Sequence, residues 1–291
     1  MRAAGGLRST GGAPHPSRGA PDVRTARPDV RRWAGVVTTA SRPTRSPAPA
    51  PQPRRVSWGR RALRRAVRAM VALALVGLLF LAVAWQLTPD VGDARDRVDA
   101  RLAAAAAPPL SGPLPARLSA AVLAPEDSHF RSHPGVDPRG VVRAARGALT
   151  GVDLGGSTLH QQLAKNVYEG GENGFTDRVS AVVLALKLDR TWSEDAVLRM
   201  YLDDAYFGHG FTGATAAAQG YFGVPPEELS WAQATLLAGL LQAPSAYDPV
   251  RHPDRAAGRQ EHVLDRLVDV GELTRAQADE VDADPWGLVV G

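Results

Sequence analysis

Hydrophobic positions in this chain recur mainly at helical spacing. Leu118, Ala121 and Val122 precede Pro125, and Leu159, Leu163 and Val167 repeat every fourth residue. The same rhythm groups Val183, Leu184, Leu186 and Leu188, then Val197, Leu198, Tyr201 and Leu202, then Trp231, Leu236, Leu237 and Leu240. Rows of this spacing predict amphipathic helices, and alternating strand patterns are scarce. Gly-rich stretches at 151–156, 170–174 and 208–213 separate the rows and supply loops. The pattern therefore predicts a mainly α-helical domain, over 116–283.

One apolar run is continuous instead of periodic. Residues 69–87 (AMVALALVGLLFLAVAWQL) carry no charge. As a helix rising 1.5 Å per residue they reach about 28 Å, against a hydrocarbon core of about 30 Å. A buried core helix or a cleaved signal peptide has a similar composition. The run begins 69 residues in, however, far from the start of the chain, which favours an uncleaved transmembrane signal-anchor. Arg54, Arg55, Arg60, Arg61, Arg64, Arg65 and Arg68 lie just ahead of it. The positive-inside rule then puts 1–68 in the cytoplasm and 88–291 outside, a single-pass cell-membrane topology.

Residues 1–53 are rich in Pro, Arg, Ala and Gly without periodicity and read as disordered, so 1–68 forms a basic cytoplasmic tail. Residues 88–115 pass from a charged stretch to Ala- and Pro-rich sequence and read as a linker. Charge separates the two sides of the span. The first 68 residues hold 16 Arg and two acids, a net of +14, whereas the remainder nets −10. An acidic folded part argues against a nucleic-acid partner. The absence of Cys excludes a disulfide scaffold and thiolate metal sites. Only Lys165 and Lys187 break the otherwise exclusive use of Arg.

Two segments carry candidate chemistry. In the first, Pro125 is expected to stop a helix and leave Glu126 and Asp127 at a helix end or turn where a carboxylate can face a cleft, and Glu126 there suits a general base; a solvated acidic turn fits the same residues. His129 and His133 are spaced for a metal only on a continuing helix, which Pro134 and Gly135 interrupt. In the second, Ser157 is placed to cap a helix on which Ser157, Gln161 and Lys165 form one polar row. A hydroxyl, an amide and an ammonium suit sugar hydroxyls and a phosphate, although any half-exposed helix shows such a stripe. Two further segments, 177–223 and 229–249, read by pattern alone as scaffold, with Ser193 capping one helix and Pro244 ending another.

Taken together, the segments resemble the glycosyltransferase domain of the peptidoglycan glycosyltransferases, glycosyltransferase family 51, the transglycosylase domain found in penicillin-binding proteins. Glu126, Asp127, Phe130, His133 and Gly135 match its first motif. Residues 155–166 match Gly-Gly-Ser-Thr-x-x-Gln-Gln-Leu-x-Lys-Asn in full, and later motifs follow in order over 116–283. The resemblance implies a lysozyme-like fold behind the membrane helix, with an apolar membrane-facing jaw at 136–154 that includes Val141, Val142 and Leu149. It implies polymerisation of lipid II into glycan strands. Glu126 would be the general base, Lys165 would face the leaving pyrophosphate, and Asp127, Ser157, Thr158, Gln161, Gln162, Asn166 and Arg178 would bind substrate. The expected partners are lipid II, the nascent glycan strand, the membrane and cell-wall synthesis proteins.

Departures from the family pattern bear on activity. Its Arg-Lys-x-x-Glu motif, whose Glu assists the pyrophosphate commonly through a divalent metal such as Mg²⁺ or Mn²⁺, falls on Asp177-Arg178-Val179-Ser180-Ala181. The second Glu is thus Ala181, and Asp177, one turn earlier, is the compensating carboxylate available on that face. Tyr-Leu-Asn becomes Tyr201-Leu202-Asp203, which adds negative charge. No organic cofactor is expected. Three functions follow in order: an active monofunctional transglycosylase, a degenerate homologue binding lipid II or cell-wall partners, and a lytic enzyme cleaving glycan with Glu126 alone. Transpeptidase motifs Ser-x-x-Lys and Lys-Thr-Gly do not occur, and the short remainder after the domain is expected to hold no second one.

Overall fold

The structure, a computed structural model, describes residues 58–150, 156–169 and 175–290. Its helices are α1 (Trp58–Leu87), α2 (Ala94–Ala104), α3 (Ala116–Glu126), α4 (Pro138–Thr150), α5 (Leu159–Tyr168), α6 (Phe175–Thr191), α7 (Glu194–Asp204), α8 (Ala214–Phe222), α9 (Trp231–Leu240), α10 (Pro253–Asp269) and α11 (Arg275–Asp282). Among the described residues no strand occurs, only an isolated bridge between Tyr206 and Thr212. The mainly helical expectation holds.

Helix α9 is apolar nearly all round and buried from Ala234 to Leu240, as a central helix must be. It packs on α3 and α10, while α5 packs on α6 and α7. Helices α5, α7 and α9 start at side-chain caps: Thr158, Ser193 and Ser230 each accept a backbone N–H of the first turn. The cap of α5 is therefore Thr158, not Ser157. Gln161 completes a capping box by accepting from the Thr158 N–H at 2.9 Å. Reading the cap one residue early moved Ser157 onto a helix that begins only at Leu159.

The stretch 88–115, expected as a linker, contains α2 and joins the core. Val91, Ala94, Val98 and Leu102 are buried, and so is Leu110. Their spacing is helical, but charged residues surround them and hide the thin stripe from a composition reading. Arg95 meets Asp203 at 2.6 Å, Arg101 meets Asp204 at 2.6 Å, and the Leu110 N–H donates to Asp203 at 2.8 Å. Asp203, expected to place negative charge beside the substrate site, is instead a fully buried tie between α7 and α2. The Arg95 cation offsets its desolvation.

Helix α1 contains the one segment among the described residues, Arg60–Leu87, long and apolar enough to cross a membrane. None of its most apolar stretch is buried against protein, and Leu73 is 73% exposed. The expected tail falls mostly on residues 1–57, outside the described residues, while Arg60, Arg61, Arg64, Arg65 and Arg68 lie on the first turns of α1. At its other end Lys187 of α6 donates to the carbonyls of Thr88 at 2.8 Å and Pro89 at 3.0 Å. Lys187 and Arg190 also sit 5.2 and 4.8 Å from the Trp85 ring centre. One of the two lysines thus binds the end of the apolar helix to the domain.

Candidate active site

Helix α3 carries Glu126 as its last residue, with Pro125 inside the final turn. Its carboxylate is partly enclosed: the side chain is 17% exposed. The Gln162 side-chain amide donates to Glu126 Oε2 at 3.0 Å, and the Tyr201 hydroxyl donates to Gln162 Oε1 at 3.1 Å. Burial, and after it the negative charges of Glu126 and Asp204, push Tyr201 far up, so its hydroxyl keeps its proton. A donating Tyr201 holds the Gln162 oxygen away from Glu126 and its NH₂ toward it. On the other side, a guanidinium nitrogen of Arg259 lies 3.9 Å from Glu126 Oε1.

Asp127 faces the opposite way. It is buried, and its two oxygens accept from His133 Nε2 at 2.9 and 3.0 Å, while one also accepts from the Leu159 N–H at 3.0 Å. A carboxylate at the start of α5 favours the positive end of that helix. The arrangement locks the end of α3 to the beginning of α5, and so sets Glu126 against Gln162. His160 packs beneath, its ring centre 5.1 Å from Phe130 and 5.8 Å from His133. Burial first, and then the nearby charge of His133, drive His160 down to about 4. Thr158 Oγ1 donates to the Gly135 carbonyl at 2.7 Å, and Gly135 needs its left-handed φ of 77°, because a Cβ there would stand 2.5 Å from the Ala185 carbonyl.

The candidates thus divide. Glu126 and Gln162 meet directly. Asp127 and Thr158 have their polar groups engaged inside the domain, and Asn166 is drawn to the Arg101 and Asp204 pair, its carbonyl accepting from Arg101 at 3.1 Å. Ser157 is exposed, Gln161 serves the capping box, and Lys165 is half-buried near the end of α5. The expected row of Ser157, Gln161 and Lys165 is therefore not one helical face, and the face of α5 turned to Glu126 carries Gln162. His129 and His133 do not converge: His133 is on Asp127, and His129 is beside Ser128.

On α6, Asp177 is half-buried, Arg178 exposed and Ala181 buried. Glu169, just past α5, is a further carboxylate here that sequence reasoning missed. Burial raises its carboxyl, with a Ser180 hydrogen bond and Lys165 opposing the rise and Asp177 adding to it. Of the jaw, Val141 and Val142 of α4 are 54% and 52% exposed, whereas 151–154 and the side chain of Leu149 lie outside the described residues, as does Gly155 of the second motif. Among the described residues no group of three or more His, Asp or Glu side chains is gathered to hold a metal ion, and position 181 presents a methyl. Mg²⁺ and Mn²⁺ need only one or two carboxylates when substrate phosphates complete their shell, and Glu169 with Asp177 in electrostatic reach are the carboxylates this region has for such an ion.

Arg259 and His160 are not singled out in the sequence, and Tyr201 reads there as part of a core stripe and a family motif without a partner. Arg259 lies three residues after Ala256 and four before Val263, on the buried stripe of α10, and a cation on an apolar stripe is the signal that would have found it. His160 shares the buried face of α5 with Leu163, Ala164 and Val167 in the same way.

A helical domain with an enclosed Glu at a helix end, held by a Gln-Gln motif, fits one class. Residues 105–268 match the transglycosylase family, and the chain belongs to it, that is, to the glycosyltransferase family 51 transglycosylases with their lysozyme-like fold. Penicillin-binding protein 1A of Neisseria flavescens is 41% identical over 168 residues, covering 57% of this chain and 21% of that protein. Penicillin-binding protein 1A of Mycolicibacterium smegmatis is 38% identical over 244 residues, covering 76% of this chain and 31% of that protein. A crystal structure of penicillin-binding protein 1A from Haemophilus influenzae aligns with 34% of this chain and 15% of its own, at 29% identity and a TM-score of 0.33. The chain spans less than a third of the length of these curated relatives.

Proposed function

We propose that this protein is a peptidoglycan glycosyltransferase that polymerises lipid II, anchored by α1 with its N-terminus in the cytoplasm and the catalytic domain outside. The observation that carries the reading is the enclosed Glu126 carboxylate, gripped by Gln162 at 3.0 Å at the edge of the second motif. Glu126 accepts the proton of the acceptor's sugar hydroxyl as that oxygen attacks the donor's anomeric carbon. The bond from that carbon to the lipid pyrophosphate breaks, and the pyrophosphate leaves with the electron pair. Lys165, with Arg178 further out, faces the departing charge. Ser157 and Gln161 hold sugar hydroxyls, and Val141 and Val142 meet the lipid chains at the membrane surface. Asp127, Thr158 and Asn166 act on substrate through the fold they lock.

Ala181 favours a second reading, a homologue that binds lipid II or cell-wall proteins without turnover. The two readings separate in one experiment: glycan polymerisation from purified lipid II, with and without Mg²⁺ or Mn²⁺, for the full chain in detergent and for Glu126→Gln. Polymer from the parent, falling at least about 100-fold in the variant, supports the transferase. No polymer from either with lipid II still bound supports the second reading, and cleavage of preformed glycan would overturn both.

A further inference from the structure

The Glu126 carboxylate faces a cation that belongs to none of the sequence motifs. Arg259 projects from α10, its side chain 12% exposed and its guanidinium 3.9 Å from Glu126 Oε1. Its Nε is enclosed and has no hydrogen-bond partner among the described residues, so the group is not placed there by a competing polar contact. The neighbouring helix is shaped around it. Gly239 interrupts the apolar α9, and a Cβ at that position would stand 3.1 Å from Arg259 Cγ. A glycine inside a helix costs about 1 kcal/mol relative to alanine, so an arginine stem seated in that gap accounts for a position otherwise unfavourable.

The surrounding groups leave Arg259 as the cation beside the base. From α5, Gln162 is neutral, with Lys165 one turn beyond it. From α7, Tyr201 keeps its proton. From α10, His262 is lowered by burial and then by Arg259 and Arg266, with Asp265 and Glu126 opposing, so it is neutral at pH 7. Asp127 is turned away into its contact with His133.

We propose that Arg259 is a positioning residue for the general base: its charge, 3.9 Å from Oε1, draws that side of the Glu126 carboxylate toward α10, while the Gln162 hydrogen bond holds Oε2. The proposal rests on the transferase reading for its kinetic test but not for its physical one.

In the kinetic test, kcat and KM for glycan polymerisation are compared among the parent, Arg259→Lys and Arg259→Gln. Arg259→Gln should lose about tenfold in kcat with KM little changed, and Arg259→Lys should recover most of that loss. A loss that falls on KM, or that Arg259→Lys does not recover, overturns the proposal.

The physical test needs no turnover. Thermal unfolding of the full chain in detergent is measured at pH 7.5 for Arg259→Gln, Glu126→Gln and the double variant. Adding Glu126→Gln to Arg259→Gln should restore part of the lost Tm, because it removes a carboxylate left without its cation. Additive losses overturn the proposal. A parent that makes no polymer yet shows this recovery refutes the transferase reading while the Arg259 to Glu126 coupling stands.

Discussion

The two ends of α5 are built differently. Its beginning is over-determined: Thr158 caps it, Asp127 clamps it to α3 through Leu159 and His133, and Gln162 one turn on grips Glu126. Its end is polar, with Glu169 just past the helix in electrostatic reach of Lys165 and of Asp177 on α6, and a methyl at position 181. A general base has to be held in one geometry to collect a proton, whereas a bulky leaving pyrophosphate needs a field of charge more than a fixed contact.

The contrast is open to test, starting where the effect should be largest. Asp127→Ala strips the acceptor from buried His133 and from the Leu159 N–H, and should cost about 3–5 kcal/mol, a Tm loss of roughly 10 °C in thermal unfolding. A change of less than about 2 °C would mean that the clamp is not what orders this end of the helix.

Acid should loosen the same end. His160 is held down to about 4 in the fold, against an ordinary 6.5, so as pH falls below 6.5 the unfolded chain takes up a proton that the folded one refuses. Stability fully present above pH 6.5 is therefore lost between 6.5 and about 4, by about 3 kcal/mol. Tm measured from pH 7 to 4 should fall less steeply in His160→Leu than in the parent; parallel curves would remove His160 from the account.

At the polar end, Asp177→Ala should slow polymerisation about tenfold, equivalent to roughly 1.4 kcal/mol, if that carboxylate compensates for Ala181. An unchanged rate would leave Glu169 as the acid to vary next. The smallest effect is expected at the membrane junction. Lys187→Met leaves the Thr88 and Pro89 carbonyls to water and should lower Tm by about 2–4 °C, a loss of about 1 kcal/mol. No loss would show that Trp85 and Arg190 suffice to hold α1.

Much of the site was legible because its residues sit together in short motifs. Glu126 follows Pro125 at the end of an apolar row, and 155–166 is a contiguous signature, so both could be placed without any tertiary information. Roles within the motifs were less legible. Asp127 and Glu126 are neighbours of the same chemistry, yet Asp127 is buried against His133 while Glu126 stays partly exposed against Gln162, and only the position of α5 decides which. Asp203 looked like charge added to a substrate site until Arg95, more than a hundred residues earlier in the chain, was seen to meet it.

The sequence by itself determined the helical class, the apolar segment of α1 and the family motifs, because periodicity, uninterrupted hydrophobicity and contiguous signatures are local properties. Only the tertiary structure decided that 88–115 is part of the core, that Thr158 rather than Ser157 caps α5, and that Arg259 stands over Glu126. Those facts depend on which faces of distant helices meet. Burial and charge pairing are properties of that meeting, and no window of neighbouring residues contains them.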